Sequence, residues 1–196
     1  PPQAIMQLKP GLFLVTGAGG NTSVRVTKEG LIVGDTKNLG DQFYNELMDL
    51  IKTVSAQPVK WVVITHHHQD HSGNTEQFIK AGAQVVAHEN IKKNLETYAP
   101  AQGKPAVPNV TYTAPYTIRL GGTQAIVQRF DNGHTSADSI VSCSPSVVRS
   151  RSGRARFSKT VMESSSAPPW NIMPSFSRTR YIATSDSRVT SSPATQ

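Results

Sequence analysis

Short apolar stretches and helical patterns alternate through the first two thirds of the chain. Apolar or alternating stretches predict strands over Leu12–Val15, Thr22–Thr27, Leu31–Asp35, Val59–Ile64, Ala83–Ala87, Thr117–Leu120 and Ala125–Phe130, with a short strand around Tyr112. Apolar residues at helical spacing predict helices over Leu39–Val54, Asn74–Ala81 and Glu89–Tyr98. This order predicts an α/β fold in which helices cover a sheet. No run reaches the about 18 apolar residues of a membrane span, so no membrane partner is expected.

Composition changes abruptly after Val141. Residues 1–141 carry 12 Lys and Arg against 11 Asp and Glu, whereas residues 142–196 carry 8 against 2 and hold 15 of the 20 serines. The net charge of +7 therefore belongs mostly to the second segment. We predict one domain over residues 1–141, followed by a Ser/Arg/Pro-rich segment over 142–196 that is either disordered or read out of frame.

Three other features have simple interpretations. Gly17–Gly20 could form a phosphate-binding loop, but a strand follows it instead of a helix, which favours a hairpin turn. Cys143 is the only cysteine and excludes an internal disulfide, and we interpret it as incidental. His88 opens a predicted helix, where a surface or capping role is expected.

The candidate chemistry lies directly after the strand that ends at Ile64. Four histidines and one aspartate occur within six positions, as His66, His67, His68, Asp70 and His71. His66 and His68 are two apart in extended chain, so they point to the same side and can bind one metal ion, while His67 faces away. Asp70 and His71 follow a bend and can turn towards a second ion. The alternative is an adventitious metal-binding patch, but this cluster sits inside a strand–loop–helix pattern.

The pattern His66-x-His68-x-Asp70-His71 at the end of a strand resembles the signature of the metallo-β-lactamase superfamily. The resemblance extends from about residue 11 to residue 141. It includes Gly11–Val15, Gly19–Asn21 and Leu31–Thr36, which resemble the opening strands of the family, and Gly133-His134-Thr135 with Asp138, which resembles the segment that supplies the next metal-binding histidine.

This resemblance implies a four-layer αββα sandwich with a zinc site at one edge of its two sheets. His66, His68 and His134 would hold the first Zn²⁺, and Asp70 and His71 would begin a second site. Asp70 would also act in catalysis, by orienting the nucleophilic water and moving its proton. Two carboxylates would support the ligands, Asp35 and Asp138. The alternatives are a plain strand-end carboxylate for Asp35 and a plain loop residue for His134.

The implied activity is zinc-dependent hydrolysis, in which activated water attacks the carbonyl of a small ester, thioester, lactone or lactam. The family pattern breaks after Asp138, because no histidine follows His134 and the only later acids are Glu163 and Asp186. Asp186 lies too far downstream in polar sequence to serve as the bridging ligand. We therefore expect one or two zinc ions, an incomplete C-terminal half of the sandwich and impaired activity.

The alternative function is a non-catalytic protein whose basic segment, Arg149–Lys159, binds nucleic acid. No recognisable nucleic-acid-binding fold accompanies these residues, so a nucleic acid partner is not expected. The chain begins at Pro1 without a methionine, which is compatible with export after removal of a signal; otherwise a cytoplasmic location is expected. The sequence carries no signal for an oligomeric state.

Overall fold

The computed structural model describes residues 1–131 and 133–145, together with two two-residue strands further on. The strands are β1 (Ala4–Lys9), β2 (Leu12–Thr16), β3 (Thr22–Val26), β4 (Leu31–Gly34), β5 (Val59–Val63), β6 (Gln84–His88), β7 (Val110–Tyr112), β8 (Tyr116–Leu120), β9 (Thr123–Arg129), β10 (Ser139–Pro145), β11 (Met162–Glu163) and β12 (Ile182–Ala183). The helices are α1 (Asp41–Val54), α2 (Gln69–Ser72), α3 (Thr75–Lys80) and α4 (Asn90–Thr97).

Strands β1 to β7 form one sheet in sequence order. The first four strands pair antiparallel, and β4 to β7 pair parallel. Parallel neighbours need a crossover between them, and helices supply it after β4, β5 and β6. The carboxyl ends of β4, β5 and β6 therefore lie at the same edge of the sheet.

Both faces of this sheet are buried, and successive residues of its central strands face opposite sides. On one side, Val33, Val62 and Val85 pack with apolar residues of the helices, which are Leu47, Ile51, Phe78, Ile91 and Leu95. On the other side, Ile32, Val63 and Val86 pack against the second sheet. This two-sided burial explains why the parallel strands read as nearly continuous apolar runs.

The second sheet is antiparallel, in the order β10-β9-β8. Its inner face contributes Ile118, Ala125, Val127 and Cys143 to the core between the two sheets. Helices, first sheet and second sheet make three successive layers. An outer helical layer beyond the second sheet is not present within residues 1–131 and 133–145.

The predicted α/β class is confirmed, and each predicted strand and helix is found with ends shifted by a few residues. Five elements were not predicted: the edge strand β1, the single-turn helix α2, and the strands β10, β11 and β12. Strand β10 runs through the predicted boundary after Val141 to Pro145, and Cys143 on it pairs with Ala125. The division of the chain near this point stays a prediction, because most of residues 142–196 lie outside the described structure. None of the described helices has the length and apolar character that crossing a membrane requires.

Candidate metal centre

Three histidines from two separate loops meet at the edge where the central strands end. His66 and His68 follow β5, and His134 lies in the loop between β9 and β10. One ring nitrogen from each of the three lies within 4.8 Å of the other two. The two histidine motifs are 66 residues apart in sequence, so the fold brings them together as predicted.

The buried ring of His66 has one nitrogen without a partner. Thr65 donates its backbone N–H and its hydroxyl to the Asp35 carboxylate, each at 2.8 Å. The hydroxyl hydrogen is thereby used, so the Thr65 oxygen accepts from His66 Nδ1 at 3.0 Å. His66 Nε2 is then the nitrogen that carries the free lone pair, and it is buried without a hydrogen-bond partner.

Burial, with a smaller contribution from the positive charge of His71, lowers the pKa of His66 to about 3. The ring is therefore neutral near pH 7 and available as a metal ligand. A buried imidazole nitrogen that faces no donor is costly in a core, but it suits a site that receives a cation.

His68 and His134 form the more exposed part of the cluster. His134 Nε2 lies 3.0 Å from His68 Nδ1, a distance at which one ring donates a hydrogen bond to the other. Burial lowers the pKa of His68, and the neighbouring charge of His134 lowers it further. Asp138 holds the loop, because its carboxylate accepts from the backbone N–H of His134 and from Thr135 Oγ1.

Asp70 and His71 lie next to the three histidines and contact each other. His71 Nδ1 is 2.7 Å from Asp35 Oδ2, and His71 Nε2 is 3.3 Å from Asp70 Oδ2. Burial favours the neutral ring, but the charge of Asp35 and the hydrogen bonds to both carboxylates raise the pKa of His71 to about 10. Burial also opposes the charge on Asp70, but the hydrogen bond from His71 lowers the Asp70 pKa.

Asp35 thus connects the two parts of the centre. Its side chain has no exposure to solvent and binds both Thr65, which holds His66, and His71. The residue has a φ of 63°, a left-handed conformation that aspartate tolerates better than most residues. The structure therefore brings Asp35 into contact with Thr65 and His71, and its role as a support for metal ligands stays a prediction.

Tyr98 contacts the histidine loop, although nothing in the sequence around it predicts such a role. Tyr98 Oη accepts from the N–H of Gln69 at 3.0 Å, and the Tyr98 ring packs against His67 and His68. His67 points away from the cluster, with Nδ1 3.4 Å from Asn94 Nδ2. Tyr98 lies just beyond α4, and only the folded chain brings it to the histidine loop.

The burial of His88 and Cys143 bears on the interpretations that the sequence suggested for them. His88 is buried instead of lying on the surface, although its Nδ1 does cap a helix by accepting from the N–H of Asn90 at 3.2 Å. Burial raises the pKa of Cys143 to about 11, which fits an unreactive core thiol. Asp186 and the basic segment Arg149–Lys159 lie outside the described residues.

Comparison with known proteins identifies the class. A family model for the metallo-beta-lactamase superfamily matches residues 45–143, about half of the chain. The chain belongs to the metallo-beta-lactamase superfamily, as the histidine motif indicated. Its layers of helices and sheets are those of the metallo-beta-lactamase fold.

Individual relatives agree with this assignment. Metallo-beta-lactamase IND-1 of Chryseobacterium indologenes is 33% identical over 136 residues, which are 67% of this chain and 52% of that protein. A metallo-beta-lactamase from Pontibacter korlensis is 27% identical with a TM-score of 0.61, covering 71% of this chain and 66% of that one. BJP-1, a subclass B3 metallo-beta-lactamase of Bradyrhizobium japonicum, is also 27% identical with a TM-score of 0.61, covering 71% and 56%. The chain spans about half the length of the curated relative.

Proposed function

We propose that this chain is a metal-dependent hydrolase that holds one Zn²⁺ through His66, His68 and His134. The buried, unpartnered Nε2 of His66, directed into a cluster of three imidazoles, is the observation that carries the proposal. Imidazole nitrogens are preferred zinc ligands, and catalytic zinc sites commonly use three protein ligands with one position left open. The donor set therefore fits zinc.

A zinc ion at this position would lower the pKa of a bound water and polarise the carbonyl of a substrate. Asp70 lies beside the cluster with a pKa below its ordinary value, so its carboxylate is ionised near neutral pH. From there it can accept a hydrogen bond from a water molecule, orient it and take up its proton. His71 holds the Asp70 carboxylate, and Asp35 holds His71.

The second metal position is incomplete in the described part of the chain. Asp70 and His71 contact each other, but His66, His68 and His134 form the only group of three or more metal-binding side chains found there. A stable site needs a full and well-supported ligand set. We therefore propose a stoichiometry near one zinc per chain and an activity below that of a complete relative.

The proposed substrate is a small molecule with a reactive carbonyl, either a lactam, a lactone, an ester or a thioester. The relatives are named metallo-beta-lactamases, which makes a β-lactam the first substrate to test. The pocket loops choose among these classes, since the fold and the metal are shared. Nucleic-acid binding by Arg149–Lys159 stays an untested alternative, because these residues lie outside the described structure.

Zinc content and turnover of the purified chain test the proposal together. We expect about one zinc per chain, and hydrolysis of a chromogenic lactam or ester that a chelator abolishes and zinc restores. His134→Ala should bind zinc much more weakly and lose turnover, whereas His67→Ala, on the other side of the histidine loop, should keep both. Two zinc ions per chain would contradict the proposed impairment, and full turnover without metal would contradict the proposed function.

A further inference from the structure

Lys37 is a fully buried lysine that the proposed chemistry does not use. It lies in the loop between β4 and α1, two residues after Asp35, and its side chain has no exposure to solvent. Its Nζ donates to the carbonyl of Val15 at 2.8 Å and to the carbonyl of Gly20 at 2.9 Å. These two carbonyls lie on either side of the glycine-rich turn between β2 and β3.

That turn forms one wall of the candidate metal centre. The N–H of Gly20 donates to the backbone carbonyl of Asp70 at 2.9 Å. A Cβ atom built on Gly20 would overlap the ring of His71, and one built on Gly19 would lie 3.0 Å from the Asp70 side chain. The turn therefore touches both Asp70 and His71, so its position limits where these two side chains can lie.

Lys37 occupies its position at a cost. Its φ of 68° is left-handed, a conformation that favours glycine. Burial, offset in part by the charges of Asp35 and Glu46, lowers the pKa of Lys37 to about 8. A glycine would avoid both the left-handed strain and the burial of a charge. The presence of lysine therefore indicates that its ammonium group has a structural role. Its two hydrogen bonds indicate that role, because they tie the carbonyls of Val15 and Gly20 at the two ends of the turn to one ammonium group.

We propose that Lys37 is a positioning residue for the Asp70–His71 side of the metal centre, acting through the turn between β2 and β3. Its ammonium holds the carbonyls of Val15 and Gly20, which keeps Gly20 against the ring of His71 and in its hydrogen bond to Asp70. The hydrogen bonds of Lys37 and Gly20 do not depend on the proposed function, whereas their consequence for catalysis rests on it.

Hydrogen exchange of the metal-free chain, followed by NMR, tests this role. Lys37→Met keeps the length of the side chain but removes the donors, and Lys37→Gly also relieves the backbone conformation. In both variants we expect the Gly20 amide to exchange about tenfold faster, because the charged hydrogen bond that holds the carbonyl of the same residue is lost and the turn can open. Val127→Ala is the control, since Val127 lies between the two sheets and far along the chain from the turn.

The control separates positioning from general destabilisation. After correction for global stability, Val127→Ala should leave the Gly20 amide unchanged. Equal exchange at Gly20 in the Lys37 variants and in Val127→Ala would overturn the proposal. If neither Lys37 variant folds, through-hydrogen-bond couplings from the Lys37 ammonium to the Val15 and Gly20 carbonyl carbons of the unsubstituted chain decide; their absence also overturns it.

These measurements use metal-free protein, so they are independent of whether zinc or a substrate binds. Zinc binding in the Lys37 variants adds the functional consequence. The three-histidine set should retain its zinc within about threefold, because Lys37 contacts none of those residues. Turnover should fall more than zinc affinity, since Asp70 is displaced. If the unsubstituted chain did not bind zinc, the proposed function would be wrong, but the hydrogen-exchange test of Lys37 would still be valid.

Discussion

The candidate metal centre has two sides, which are held by different carboxylates. His66 and His71 lie on one side, and His68 and His134 lie on the other. On the first side, which we call the anchored side, both rings are buried and Asp35 reaches both, one of them through Thr65. On the second, the loop side, His134 is exposed and its loop is tied by Asp138.

The two carboxylates are expected to affect different properties: Asp35 the stability of the fold, and Asp138 the affinity for metal. Asp35 is a buried carboxylate whose partners lie just after β5 (Thr65) and in α2 (His71), so removing it affects the core as well as the ligands. Asp138 is only half-buried and bonds mainly within its own loop, to His134 and Thr135. A carboxylate that serves its own loop is expected to influence metal affinity more than stability.

The largest effect is expected from Asp35→Ala. The change leaves His71 and Thr65 buried without their partner, and breaking a buried ion pair costs about 3–5 kcal/mol. Urea unfolding of the metal-free chain measures this loss as a lower free energy of unfolding. A loss below about 1 kcal/mol would mean that Asp35 does not anchor this side.

Asp138→Ala is the matched change on the loop side. We expect zinc affinity to fall by about tenfold to a hundredfold, as for other groups that orient metal ligands. The free energy of unfolding should fall by only about 1 kcal/mol, because the lost hydrogen bonds are partly exposed to water. Competition with a fluorescent chelator gives the affinity. A destabilisation equal to that of Asp35→Ala would erase the distinction between the two sides.

The anchored side should also make the stability of the metal-free chain depend on pH. The pKa of His71 is raised from 6.5 to about 10 in the folded state, so the stabilisation is fully present below pH 6.5 and is lost as the pH rises through 10. The advantage of the unsubstituted chain over Asp35→Ala should therefore shrink, by about 1 kcal/mol or more, between pH 6 and pH 10. Unfolding curves at several pH values measure it, and a constant difference would contradict the assigned pKa.

The smallest effect is expected from His67→Ala. His67 belongs to the same histidine run, but it points towards Asn94 and Tyr98 instead of the cluster. Zinc affinity should change by less than about threefold, in contrast to His68→Ala. Isothermal titration with Zn²⁺ compares the two variants. Equal losses would show that the run binds metal as an unstructured patch.

The sequence predicted the parts of this molecule that local pattern determines. Alternation and helical spacing located the central strands and helices, and the spacing of His66, His68, Asp70 and His71 located the site. Strand β1 was missed because an edge strand buries little, and most of its residues, including Met6 and Leu8, are exposed. A weakly buried strand leaves a weak pattern.

The missed residues of the site are those that only the folded chain brings together. Thr65, Lys37 and Tyr98 act through hydrogen bonds to residues distant in sequence, and nothing in their own neighbourhoods indicates those partners. The motif from His66 to His71 could be predicted because it is contiguous, whereas Lys37 and Tyr98 lie in two other loops.

Zinc K-edge X-ray absorption of the zinc-loaded chain tests the central claim most directly, because it counts the histidines bound to the ion. The account predicts three imidazoles on one zinc, with zinc–nitrogen distances of about 2.0–2.1 Å, and two imidazoles in His134→Ala. Fewer than three in the unsubstituted chain, or no change in His134→Ala, would contradict it.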